Sequence, residues 1–277
     1  MIGEVFKAVL AALTAAAIAT SATPMPSPEE PRLGRGPVVG ADISWPNCPR
    51  GLGISSRPTL GKPLPRRQAR FVVIGLTNGP AFHPNPCLAA HVEYARERRL
   101  WTSAYAVATY PTAGQLERYA DDGPRSTDTE RGRLFNTGYA QALINVEEMR
   151  EVGLDSPAVW VDVEPVSPPA PWSGRVRANK AVVDGVLAGY RDEGLRVGFY
   201  SVATLWQQIM GSTRYGLPEW RSAGPTTRQR ALAMCGSGRF QGGPAVIGQW
   251  WDDDRDYNVL CPGEPAQDVL DRWFVQL

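Results

Sequence analysis

The chain has 277 residues, with 29 Lys+Arg against 28 Asp+Glu and a formal charge of +1. That balance argues against a nucleic-acid binder, which carries a clear basic excess, and the 2 His in the whole chain exclude a His-rich metal site. At 43% hydrophobic and 21% charged residues the composition is that of a globular protein, and beyond the amino-terminal segment no run is long and apolar enough to span a bilayer.

Within VFKAVLAALTAAAIATSA (5–22) Lys7 precedes an apolar stretch that small residues follow, and residues 1–22 predict a secretory signal. The Pro-rich, polar stretch up to residue 37 predicts a linker with no means of burying a core. That leaves one domain over residues 38–277, in a mature chain expected to be secreted or cell-wall associated and without a membrane segment. Four Cys, at 48, 87, 235 and 261, in an exported chain read as two disulfides. Three pairings are open. No CxxC occurs, which speaks against zinc and thioredoxin-type chemistry, and neither a metal nor a cofactor is expected.

VVGADIS (38–44) predicts a first strand and RFVVIGLT (70–77), rich in β-branched residues, a second. PCLAAHVEYARERR (86–99) predicts a helix whose Arg-rich end suits its carboxyl terminus. LWTSAYAVAT (100–109) predicts a third strand. In 131–152, Phe135, Tyr139, Ala142, Val146 and Met149 recur at steps of three and four, an amphipathic helix ended by Gly153. AVWVDVE (158–164) predicts the fourth strand, 177–193 a helix, LRVGFYS (195–201) the fifth strand, and a short helix runs on to Gly211. LPEWRSA (217–223), AVIGQWW (245–251) and DYNVL (256–260) predict three more strands, with helices over 226–235 and 266–275. Strands interleaved with helices imply parallel pairing. No GxGxxG unit or P-loop marks a nucleotide-binding sheet, and eight strands over this length fit a single-domain α/β fold, a (β/α)8 TIM-like barrel, regular or irregular.

In such a barrel the site lies at the carboxyl ends of the strands. That gathers Asp42, Thr77, Asn78, Tyr105, Asp162, Glu164, Tyr200, Trp220, Gln249 and Asp256 around one mouth. Acids and aromatics together suit a sugar site. In WVDVEP (160–165), strand alternation puts Trp160, Asp162 and Glu164 on one face and Val159, Val161 and Val163 on the other. The two acids are two residues, about 6.6 Å, apart along the strand. Two carboxylates that close in a partly dry cleft cannot both ionise freely, and a raised acid beside an ionised one is the division of labour in glycoside hydrolysis. A structural pair, bridged to Arg or capping the next helix, is the alternative. WWDDDRDYN (250–258) lacks the Gly and Glu of a calcium loop and reads as a solvated acidic loop with Asp256 alone at the cleft. Trp160 and Trp206 read as packing residues, His83 and His91 as surface or helix-packing residues, and Trp45 and Trp250 as candidate glycan contacts.

These residues resemble the family 25 glycoside hydrolases, barrel lysozymes that cut peptidoglycan as N-acetylmuramidases. The resemblance runs through Gly40-Ala41-Asp42-Ile43-Ser44, Leu76-Thr77-Asn78-Gly79, Ser103-Ala104-Tyr105, Asp162-Val163-Glu164, Gly198-Phe199-Tyr200-Ser201 with Trp206, Trp220-Arg221-Ser222-Ala223, Gln249-Trp250 and Asp256-Tyr257-Asn258, in family order over about 38–260. It implies Glu164 as general acid and Asp162 as the group stabilising the substrate's N-acetyl group or developing cation. Asp42 and Asp256 would tune these charges, and Asn78, Tyr105, Tyr200, Gln249, Trp250 and Trp45 would contact a peptidoglycan-like polysaccharide. The chain departs from the family where Asn78 replaces a Glu and Ala106 a His, and in its long first loop. These departures leave open a glycan-binding barrel without turnover, or a hydrolase of a different exported polysaccharide. Adjacent strands one and two would bring Cys48 to Cys87, and Cys235 would clip the last helix to Cys261, each bridge contributing about 3–4 kcal/mol in the loop-entropy picture.

Overall fold

The computed structural model describes residues 36–166 and 172–277. The expected signal segment (1–22) and the linker up to residue 35 lie outside the described residues. Eight strands close into a barrel: β1 (Val39–Ile43), β2 (Phe71–Gly75), β3 (Trp101–Val107), β4 (Ala158–Asp162), β5 (Arg196–Ser201), β6 (Glu219–Pro225), β7 (Ala245–Trp251) and β8 (Asp256–Leu260). Around the ring the order is β3-β2-β1-β8-β7-β6-β5-β4, closed by β3 against β4. Among the described residues no helix is long and apolar enough to cross a membrane.

The barrel is irregular in one way the sequence reading did not foresee. Strands β1 to β7 run parallel, but β8 is antiparallel to both of its neighbours, β7 and β1. The physical reason is length. Only Asp252–Arg255 join β7 to β8, enough for a hairpin, whereas a parallel crossover needs a dozen residues or more. The reversal places the first residue of β8, Asp256, at the same end of the barrel as the last residues of the other strands. It lies directly opposite Asp42 in the ladder.

Helices α1 (Leu88–Glu97), α3 (Glu130–Glu151), α4 (Val176–Asp192), α5 (Ala203–Met210) and α6 (Arg228–Ser237) follow strands as expected. An additional helix, α2 (Ala113–Tyr119), is capped by Thr112, whose Oγ1 accepts from the Gln115 amide. The last helix, α7 (Ala266–Trp273), leads into a two-residue strand, Val275–Gln276, on β3.

Strand alternation builds two apolar layers. Val72, Ile74, Val159, Val161, Val163, Val197 and Phe199 point outward and pack with residues of α1, α3, α4 and α5. Phe71, Val73, Trp160, Trp220 and Ile247 point inward and meet Leu270, Trp273 and Phe274. Trp273 lies 4.8 Å from Trp160 and Phe274 5.1 Å from Phe71, centroid to centroid, so α7 closes the lower end of the barrel. The rings need space inside the wall: a Cβ at Gly198 would stand 2.3 Å from the Trp160 ring and one at Gly40 2.5 Å from Phe71. Both disulfides form as the strand order suggested, Cys48–Cys87 and Cys235–Cys261.

Candidate active site

Climbing the inner face of each strand, apolar residues give way to polar ones at the upper end. Asp42, Tyr105, Asp162, Tyr200, Gln249 and Asp256 stand there, and with Glu164 they line one cleft of about 350 Å³. That lies within the range of small-ligand sites. Tyr105 and Tyr200 both pack edge-on against Trp220, giving the cleft an aromatic floor.

Asp42 is buried and held by a directed chain of hydrogen bonds. Its Oδ1 accepts from Gln249 Nε2 (3.0 Å) and from Asn258 Nδ2 (2.7 Å). Tyr200 donates to Gln249 Oε1 (2.8 Å), and the Trp220 indole donates to Asn258 Oδ1 (2.9 Å). Asp162 is equally buried, yet its Oδ1 has no hydrogen-bond partner among the protein atoms. An orphaned buried carboxylate oxygen is costly in a folded protein, and the residue that carries it lines a cleft that a polar ligand can enter.

Glu164 lies two residues beyond the end of β4, and its segment is pinned on both sides. The Val163 amide donates to Tyr200 O (3.0 Å), Ser201 Oγ donates to Val163 O (2.7 Å), and the Trp172 indole donates to Glu164 O (2.9 Å). Glu164 is therefore fixed at its backbone although it sits in a loop.

All four acids titrate above the ordinary carboxylate range. Burial is the main cause for Asp42, joined by the Asp256 charge and opposed by the bonds from Gln249 and Asn258. Burial also raises Asp162, with Glu164 and Asp42 adding repulsion. For Glu164 burial raises the pKa, the Arg57 guanidinium opposes it, and Asp256 adds to it. Asp256 is pushed up to about 6 by burial, against the pull of Lys62 and with some help from Asp252. Four carboxylates so placed cannot all ionise together, and the cleft retains protons at mildly acidic pH.

Three expected glycan contacts fall elsewhere. Trp250 points to the outside of the wall, stacked on Tyr257, because Gln249 and Trp251 take the inward positions on β7. It is Trp251 that lines the cleft; the period of two counted from Gln249 was the signal for it. Asn78 is spent on the backbone. Its Oδ1 accepts from the Ile54 amide (2.7 Å) and its Nδ2 donates to Arg57 O (3.2 Å). It thus tethers a short hairpin (Gly53–Ile54 with Arg57–Pro58) in the long first loop, the hairpin that brings Arg57 toward Glu164. Trp45 is half-buried beneath the Arg57 guanidinium, 5.9 Å from its ring centre, and does not line the cleft. Lys62 and Asp252 line the cleft unforeseen, so Asp256 is not the acidic loop's lone contribution. Among the described residues, Cys48, Cys87 and His91 are the one trio of donor atoms close enough together to hold an ion, and both sulfurs are taken by the disulfide.

The family model described as lysozyme-like protein 1 matches residues 129–220, the stretch that carries Asp162, Glu164, Tyr200 and Trp220. A probable family 25 lysozyme of Dictyostelium discoideum is 32% identical over 104 residues, 35% of this chain and 46% of that protein. The chain thus matches about half the length of that curated relative. Among solved structures, the lysozyme of Streptomyces coelicolor superposes with a TM-score of 0.54 at 16% identity, over 87% of this chain and 98% of its own. A family 25 lysozyme of Aspergillus fumigatus gives 0.52 at 15% identity, over 86% and 99%. The fold is that of the family 25 lysozymes. In sequence, the match to the lysozyme-like family model covers the segment with the paired acids.

Proposed function

We propose that the protein is an exported, endo-acting glycoside hydrolase that cleaves a peptidoglycan-type N-acetylated glycan. The observation that carries this reading is the pairing of Asp162, whose buried Oδ1 lacks a partner, with Glu164, a backbone-pinned acid of raised pKa, in one aromatic-floored cleft. Glu164, protonated, donates to the glycosidic oxygen as the bond to the anomeric carbon breaks; water then adds to that carbon and gives a proton back to Glu164. Asp162 receives the N–H of the substrate's N-acetyl group or faces the positive charge that grows on the ring. Where the N-acetyl oxygen itself closes on the anomeric carbon, the distance between the two acids no longer decides the stereochemical outcome. Burial, with the charge of Asp256 beside it, keeps Glu164 protonated, and Asp42, fixed by Gln249 and Asn258, lines the same cleft. The two disulfides suit an oxidising location, and residues 1–22 would be the export signal.

The test is reducing-end release from purified cell walls by wild type and Glu164→Gln. Loss of a general acid is expected to slow release by about 10²- to 10⁴-fold. Equal release by both proteins would overturn the assignment. A second reading, a barrel that holds glycan without cutting it, draws on Arg57, whose charge works against protonation of Glu164. Glycan binding by wild type with no release at any pH is its signature.

A further inference from the structure

The outside of the barrel wall carries a second hollow. Most strands are covered by helices, but β1 leads into the long loop instead of a crossover helix, and β8 leads into α7, which closes the bottom. The outer faces of β1 and β8 are left as a groove of about 410 Å³, walled by the loop end at Pro65–Ala69 on one side and the start of α6 on the other. Its floor is Ala41 with the stacked pair Trp250 and Tyr257, and its edge carries Arg66, Arg228 and Arg255.

The three guanidiniums differ in what holds them. Arg255 Nε donates to Leu64 O (3.0 Å), tying the loop to the β7–β8 turn. Arg66 lies over the Tyr257 ring, 5.8 Å from its centre. Arg228 stands exposed in the first turn of α6. Against them are Asp252, which accepts from the Tyr257 hydroxyl (2.8 Å), and Asp256, which the groove shares with the cleft. The groove therefore starts at the rim of the cleft, is apolar along its floor and cationic along its edge.

We propose that this groove is a second binding site, for a short acidic peptide with aliphatic side chains, such as one attached to a glycan strand lying in the cleft. Aliphatic side chains cover the aromatic floor while the carboxylates meet the arginine forks. A polyol phosphate satisfies the arginines but offers nothing to the floor, so the apolar half of the groove favours the peptide. The attachment to glycan rests on the hydrolase reading; the peptide binding itself does not.

The test uses the full-length protein and the tetrapeptide Ala-Glu-Ala-Ala with a free carboxyl terminus. The expected result is a saturable shift of the Trp250 indole N–H resonance, weakened by salt and about tenfold weaker in the double variant Arg66→Glu/Arg228→Glu. No shift at Trp250, or undiminished binding by the double variant, would overturn the proposal, as would tighter, competing binding of polyglycerol phosphate. A second arm compares hydrolysis of peptide-bearing and peptide-free glycan. The double variant should lose a preference for the former while cutting the latter at the wild-type rate; an unchanged preference contradicts the link to the cleft. If wild type cuts neither glycan but the Trp250 shift persists, the hydrolase reading fails and the peptide site stands.

Discussion

Two regions of this barrel bury carboxylates, and they treat them in opposite ways. At the start of β6, Glu219 is fully buried and fully partnered. One oxygen accepts from the amides of Gln241, Gly242 and Gly243 (3.0 Å each), the other from Arg221 Nε (2.7 Å) and the Phe240 amide (3.4 Å). Arg221 in turn donates from Nη1 to the carbonyls of Met234 and Cys235 and from Nη2 to that of Gly243. In the cleft, Asp162 has an oxygen with no partner, Asp42 and Glu164 crowd it with like charge, and Asp256 crowds those two in turn. A satisfied buried acid organises a loop. An unsatisfied cluster is stable only because the rest of the fold carries its cost, which is the expected condition of a site awaiting a ligand.

Substitution separates the two regions most sharply in catalysis and stability. Asp162→Asn should slow glycan cleavage about 10²-fold while leaving the denaturation midpoint unchanged or raised, because a buried charge without a partner is removed. A lowered midpoint together with full activity would make Asp162 a structural acid. Glu219→Gln should do the reverse. Leaving Arg221 buried without its counter-ion should cost about 3–5 kcal/mol in chemical denaturation, with unchanged turnover per folded molecule.

The pH dependence gives a smaller effect of definite sign. Asp256 titrates near 6 in the folded chain, above the value of about 3.9 expected when unfolded. Its contribution is therefore fully present below pH of about 4 and is lost as pH rises through about 6. Asp256→Asn should abolish that loss and stabilise the protein at neutral pH by about 3 kcal/mol, seen as a flatter plot of stability against pH. An unchanged slope would place Asp256 in water. The smallest effect is expected at Asn78. Asn78→Ala should cost about 1 kcal/mol and, by loosening the hairpin that holds Arg57 near Glu164, move the pH at which activity is lost on the alkaline side upward. An unmoved limb would mean that Arg57 does not tune Glu164.

The paired acids were legible because WVDVEP obeys the strand period without interruption, so the faces of Trp160, Asp162 and Glu164 could be assigned by counting. The barrel was legible for a similar reason: its outward Val and Ile residues repeat as strands at regular intervals. The reversal of β8 is readable too, in the four residues between Trp251 and Asp256, a count that outweighs the parallel pairing implied by interleaved helices. Trp250 was misplaced by one register step, which on a strand exchanges inside for outside. Asn78 and Glu219 were not legible in principle. Whether a buried polar side chain serves the backbone or a ligand depends on which distant segment folds over it, and neither the hairpin at 53–58 nor the loop at 240–243 is marked by a pattern around those residues.

The most direct test is a crystal structure of the Glu164→Gln protein with an N-acetylated glycan oligosaccharide. The expected result is a sugar ring in the cleft, its N-acetyl group within hydrogen-bond distance of Asp162 Oδ1 and its glycosidic oxygen against residue 164. A saccharide bound elsewhere, with Asp162 Oδ1 still lacking a partner, would contradict the account.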